Sequence, residues 1–138
     1  MTIDVERDPG MPEGRHACDA LGTHMEDFYR RRPNIRYDVT LLLRLWRPRS
    51  ASVVYLRTLH KGRGNGSMVM DEVVRAADLY DVTLDLEARA VREDGPRVRG
   101  LGQNELVAFY DRRGFRIVSQ RVGSVIMRRL APSVRKSP

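Results

Sequence analysis

Glycine at alternate positions in Lys61-Gly62-Arg63-Gly64-Asn65-Gly66-Ser67 constrains this chain more than any other feature. The stretch separates a strand-like run, Ser52 to His60, from a helical pattern, Gly66 to Tyr80, and a second strand-like run follows at Asp81 to Ala88. In the helical pattern Val69, Val73, Ala76, Ala77 and Tyr80 form one apolar stripe, with Asp71, Glu72, Arg75 and Asp78 mostly opposite it. In the second run Val82, Leu84 and Leu86 alternate with Thr83, Asp85 and Glu87, which gives a strand two unlike faces. Strand, glycine turn, helix and strand make a βαβ unit, whose crossover is expected to be right-handed. Glycine lets the backbone take positive φ and lets a ligand come close to main-chain N–H groups. At the start of a helix those groups are unpaired and the dipole is positive, so they favour an anion. The turn reads as a phosphate cradle.

The 138 residues suffice for one domain with a real core. Met1 to Gly14 contains two prolines and two glycines, with only Ile3 and Val5 alternating as a strand would. We read residues 1–14 as a flexible N-terminus, or at most a short edge strand. From Arg15 to Arg32, Ala17, Ala20, Leu21, Met25 and Phe28 recur at helical steps, and Pro33 ends the pattern. Tyr37 to Trp46 and Ser52 to Leu59 read as antiparallel strands about the break at Arg47-Pro48-Arg49-Ser50. Arg89 to Gly102 is a long charged loop. Gln103 to Arg113 returns to helical spacing and Gly114 stops it as a C-cap glycine would. Phe115 to Ser119 and Ser124 to Arg129 read as a closing hairpin. A single domain over residues 15–130 with a flexible basic tail over 131–138 is the expected organisation.

The net charge of +7 makes the surface attractive to anions: a phosphorylated cofactor, nucleic acid or an acidic protein. A single cysteine, Cys18, excludes an internal disulfide. No apolar run approaches the roughly 20 residues a membrane helix needs, so the expectation is a cytoplasmic protein without membrane contact. His16, His24 and His60 lack metal-ligand spacing, and no metal site is expected. Arg30-Arg31-Arg32 falls in the last turn of its helix, where cations complement the dipole, and a nucleic-acid contact is the other reading.

Two motifs in order carry a family resemblance. Lys61-x-x-Gly64-x-Gly66 resembles the Arg/Gln-x-x-Gly-x-Gly/Ala signature of the GCN5-related N-acetyltransferases, with lysine in the first place and Gly62 matching a frequent extra glycine. Tyr110-x-x-x-Gly114-Phe115 resembles the same family's Tyr-x-x-x-Gly-Phe at the end of its fourth helix. The likeness spans roughly Ser52 to Arg129 and marks residues 52–129 as a coenzyme-binding core. It implies an acyl-CoA N-acyltransferase fold, an α/β domain with a mixed central sheet flanked by helices. It also implies acetyl-CoA as co-substrate and a primary amine as acceptor, of protein, nucleic-acid-linked or small-molecule class.

By that resemblance the coenzyme pyrophosphate rests on Lys61, Gly62, Arg63, Gly64, Asn65, Gly66 and Ser67. The pantetheine arm runs beside the strand at Leu56, where that strand splays from its neighbour, and reaches Gln103 and Asn104 near the place of a family asparagine. Tyr110 would protonate the departing thiolate. The family often puts a glutamate on the strand before the cradle, but Ala51 to His60 holds no carboxylate. Glu87 is then the candidate base, with Asp85 and His60 as alternatives. Trp46 reads as packing or as an acceptor-pocket wall. A homodimer through the closing strands is one expectation. A basic nucleic-acid-binding module and a CoA-binding relative without catalysis are the competing readings.

Overall fold

The computed structural model describes residues 3–7, 17–47, 49–59, 64–89 and 102–135. Its strands are β1 (Ile3–Arg7), β2 (Val39–Arg47), β3 (Ser50–Thr58), β4 (Thr83–Ala88), β5 (Arg116–Arg121) and β6 (Ser124–Arg129). Alternation decides which side of each is buried. Val39, Leu41, Leu43 and Leu45 of β2 are fully buried, and Leu84, Leu86 and Ala88 of β4 occupy the same side of the sheet as Ala51 and Val53 of β3. The six strands form one sheet in the order β1-β2-β3-β4-β6-β5. The β1–β2 and β3–β4 pairs are parallel and the remaining pairs antiparallel, so the domain is α/β with a mixed open sheet and flanking helices.

Helix α1 (Ala17–Arg30) buries Cys18, Leu21, Gly22, Met25, Phe28 and Tyr29, the three- and four-residue steps of one apolar face. Proline at its first position starts the single turn α2 (Pro33–Arg36). Helix α3 (Asn65–Tyr80) buries Val69, Met70, Val73, Ala76 and Ala77 and packs against α1. A polar seam closes that contact: His24 Nε2 lies 2.7 Å from Glu72 Oε1, and Arg75 donates to the same oxygen at 2.6 Å. Burial alone would raise the Glu72 pKa, but the hydrogen bonds from Arg75 and His24 outweigh it and hold the carboxyl below its usual range. The helix ends with Asp81 in the left-handed region at φ 60°, where Val82 N–H closes back on the Ala77 carbonyl at 2.8 Å. Helix α4 (Gln103–Asp111) is stopped by Gly114 at φ 91°, as its sequence position predicts.

Where the opening stretch is described it is the short edge strand that the Ile3–Val5 alternation allows: Ile3 is 6% exposed, and β1, at the edge of the sheet, aligns with Leu41 to Leu45 of β2. The tail, expected to fray from residue 131, continues as a docked turn, α5 (Pro132–Arg135). Ala131 is buried and its N–H donates to Thr83 Oγ1 at 3.0 Å, Ser133 N–H donates to Asp81 Oδ1 at 2.9 Å, and Arg135 reaches Asp78 at 2.7 Å. These partners lie about fifty residues upstream, beyond the reach of local pattern. The arginine triplet is engaged by its own helix: Arg30 and Arg31 pair with Asp27 at 3.0 and 3.1 Å, and Arg32 stacks 4.1 Å over the Phe28 ring. No helix among the described residues is long and apolar enough to cross a membrane.

Candidate functional site

The parallel pair β3–β4 separates towards its C-terminal ends. Pairing runs from Ser50↔Thr83 only to Val53↔Leu86, although β3 continues to Thr58 and β4 to Ala88. The departure coincides with a bulge. Leu42 faces Tyr55 and Leu43 faces Val53, so Val54 is an extra residue on β3, and an extra residue bends its strand. Past it, Val54 and Tyr55 are 44% and 40% exposed. Beyond Leu86, β4 keeps only its β6 pairings, Glu87↔Ile126 and Ala88↔Val125. A fork therefore opens at the carboxyl ends of a parallel pair, where open α/β sheets hold their ligands.

Two helix N-termini stand at that end. Helix α3 follows β3, with Gly64 as its N-cap at φ 75° and ψ 5°, and no side-chain cap bonds its first turn. The first helical bond is Met68 N–H to Gly64 O at 3.0 Å, which leaves the N–H groups of Asn65, Gly66 and Ser67 outside the intrahelical ladder. A Cβ built on Gly64 meets nothing within 4 Å, so the N-cap position itself is uncrowded. Helix α4 starts beside the end of β4, with Gln103 Nε2 donating to the Ala88 carbonyl at 2.8 Å. Asn104 is exposed in the same first turn.

Gly66 serves a different purpose from Gly64. A Cβ there would lie 2.9 Å from Thr58 Cγ2, so its absence lets α3 start against the end of β3. Alanine would gain up to about 1 kcal/mol of helix propensity, and overpacking costs about 1–3 kcal/mol. Gly66→Ala should therefore destabilise the protein in chemical denaturation. In a Thr58→Ser background, which removes the methyl, the same change should become neutral or stabilising.

Tyr110 lies in the last turn of α4, 7% exposed, edge-on to Phe109 at 5.1 Å and to Phe115 at 5.6 Å between ring centroids. Burial raises its pKa, with the Arg113 cation opposing, so the phenol is neutral and able to donate at pH 7. Glu87 is exposed on the fork's outer strand and pairs with Arg89 at 3.4 Å. Leu56 is half-buried beyond the bulge, packed against the core opposite Leu41. Lys61, Gly62, Arg63 and His60 lie outside the described residues. Cys18 is fully buried, its Sγ donates to the Ser50 carbonyl at 3.0 Å, and burial pushes the thiol up to about 11, which suits packing rather than reactivity.

The structure also links residues that the sequence leaves separate. Ser52 Oγ donates to Asp85 Oδ1 at 2.6 Å, and Trp46 Nε1 donates to Ser52 Oγ at 3.1 Å. This relay crosses β2, β3 and β4 one residue below the last β3–β4 pair. It gives Trp46 a hydrogen-bonding task in place of simple packing, and Asp85 a fixed orientation. Ser52 carried no signal beyond its place on the polar side of an alternating strand.

No protein-family model matches the chain, and no curated protein matches it. Among solved structures, the crystal structure of Ard1 from Thermoplasma volcanium is similar at 18% sequence identity and a TM-score of 0.47. The match covers 68% of this chain and 63% of that one.

Proposed function

We propose that the chain is an N-acetyltransferase that takes acetyl-CoA and passes the acetyl group directly to a primary amine. The observation that carries this reading is the coincidence, at one end of the sheet, of an uncapped α3 N-terminus entered through left-handed Gly64 with the fork between β3 and β4. The two sequence motifs, in the family's order, support it independently of the geometry.

In this reading the N–H groups of Gly64 to Ser67, with Lys61, Gly62 and Arg63, hold the pyrophosphate, where the helix dipole adds to hydrogen bonding. The edge of β3 beyond Val53 that β4 does not pair, with Leu56, takes the extended arm as a strand partner, and Gln103 and Asn104 border it from α4. Acetyl-CoA supplies the acyl group and a thiolate leaving group. Tyr110 holds a proton for that sulfur, and burial keeps its phenol protonated at pH 7. Glu87 takes the proton of the attacking amine, and Asp85, oriented by Ser52, is the alternative acceptor. A fork lined by these carboxylates suits a cationic amine. The reaction is expected in the cytoplasm, and a homodimer through β5 and β6 is compatible with the fork staying open.

The ion pair of Glu87 with Arg89 favours a second reading, a coenzyme binder without turnover. Thiol release from acetyl-CoA in the presence of an amine panel separates the two. Amine-dependent release supports the enzyme, and binding without release supports the second reading.

A further inference from the structure

We propose that Asp38 is the positioning residue of the coenzyme cradle, an inference that rests on the reading just given. Asp38 stands between α2 and β2, far in sequence from either motif, and is 5% exposed. Its backbone carbonyl accepts the Leu59 N–H at 2.8 Å, one residue past the end of β3. Its carboxylate Oδ2 accepts Asn65 Nδ2 at 2.6 Å, on the first residue of α3. One residue thus holds both flanks of the glycine turn. Its own N–H donates to the Ile35 carbonyl at 3.0 Å, and Val39 beside it faces Thr58, so the anchor is fixed to α2 and to the sheet.

A buried carboxylate is expensive, and a neutral acceptor would satisfy Asn65 at lower cost. What the arrangement secures is direction. Asn65 is the first residue of α3, so the aim of the first α3 N–H groups depends on where it is held. An anion site made of backbone donors needs that aim fixed before the ligand arrives, since ordering it on binding would subtract from affinity. Asp38 acts through the geometry of that hydrogen bond and through its charge. The two are separable by substitution.

Acetyl-CoA is the probe, titrated by calorimetry into Asp38→Ala, Asp38→Asn and Asn65→Ala, with turnover measured on each. Asp38→Ala is expected to raise Kd and KM about tenfold while kcat at saturation stays within about twofold, a split that general destabilisation does not produce. Asp38→Asn keeps an acceptor for Asn65 and drops the charge, and should bind more tightly than Asp38→Ala. Asn65→Ala should reproduce Asp38→Ala, and the double variant should be no worse than either single one, since they remove a shared interaction. In hydrogen exchange on ligand-free protein, the Met68 amide, which closes the first bond of α3, should lose protection in Asp38→Ala while the last turn of α3 keeps it. Asn65→Ala carries the test if Asp38→Ala fails to fold. Coenzyme binding by the natural protein with no weakening in Asp38→Ala or Asn65→Ala overturns this role alone. Failure of the natural protein to bind acetyl-CoA overturns the cradle reading and this role with it.

Discussion

Asp78→Ala should lower stability by about 2–3 kcal/mol and the midpoint of thermal unfolding by roughly 10 °C. Arg129 is 6% exposed, and its two terminal nitrogens donate to the two Asp78 oxygens at 2.7 and 2.8 Å. Its Nε donates to the Arg113 carbonyl at 2.8 Å, so the guanidinium joins α3, the end of α4 and β6. Removing Asp78 leaves this cation buried without its counter-charge, which usually costs 3–5 kcal/mol. The Asp78 side chain is 39% exposed, so water replaces part of what is lost and the expected figure falls below that range. Changing both partners, Asp78→Leu with Arg129→Met, should recover most of the loss.

The same pair sets an acid limit. The Arg129 hydrogen bonds hold the Asp78 carboxyl below its ordinary value, against an opposing contribution from burial and with help from Arg135. A depressed carboxyl gives stability that is full above the unfolded value of about 3.9 and is lost as pH falls through the lower folded one. Stability of the natural protein should therefore decline across that acid window more steeply than in Asp78→Asn. Equal pH profiles would remove this pair from the account.

Tyr110→Phe should lower kcat by a factor on the order of 10² or more while leaving acetyl-CoA affinity within about twofold. The ring packs between Phe109 and Phe115, and phenylalanine keeps that packing, so the fold is expected to stay intact. Only the proton held for the departing thiolate is removed. The loss should shrink with acyl donors whose thiol is more acidic, because a better leaving group needs protonation less. Turnover unchanged by the substitution would return Tyr110 to the core as an ordinary aromatic.

The amphipathic spacing of Val69, Val73, Ala76 and Ala77 and the alternation of Leu84 and Leu86 were enough to place α3 and β4, since both patterns are local. Gly114 likewise announced its left-handed turn, because few other residues take that conformation cheaply. Gly64, at φ 75°, is a second such position, whereas Gly66 is glycine because Thr58 lies against it. The splaying of β3 from β4 is implied only by the family resemblance; the bulge at Val54 that accompanies it depends on how β2 and β3 align, and Val53-Val54 carries no mark of it. Asp38, the Trp46–Ser52–Asp85 relay and the docking of Ala131 to Arg135 all need contacts between distant segments. Polar composition gives no sign of the anchoring of Ala131 in the tail, whereas the alternation of Ile3 and Val5 does mark the edge strand β1. Glu87 was chosen for its place near a strand end, but the structure gives the better-ordered carboxylate to Asp85.

Acetyl-CoA calorimetry on the natural protein and on Gly64→Glu tests the central claim most directly. A Cβ on Gly64 meets nothing within 4 Å, so a glutamate there puts bulk and negative charge at the N-cap of α3 without a clash at its Cβ. Its left-handed backbone adds about 1–2 kcal/mol of strain, which denaturation measures separately. The natural protein should bind the coenzyme, and Gly64→Glu should weaken that binding at least about tenfold, or about 1.4 kcal/mol. No binding by the natural protein, or equal binding by both, would contradict the assignment of this turn as a coenzyme site.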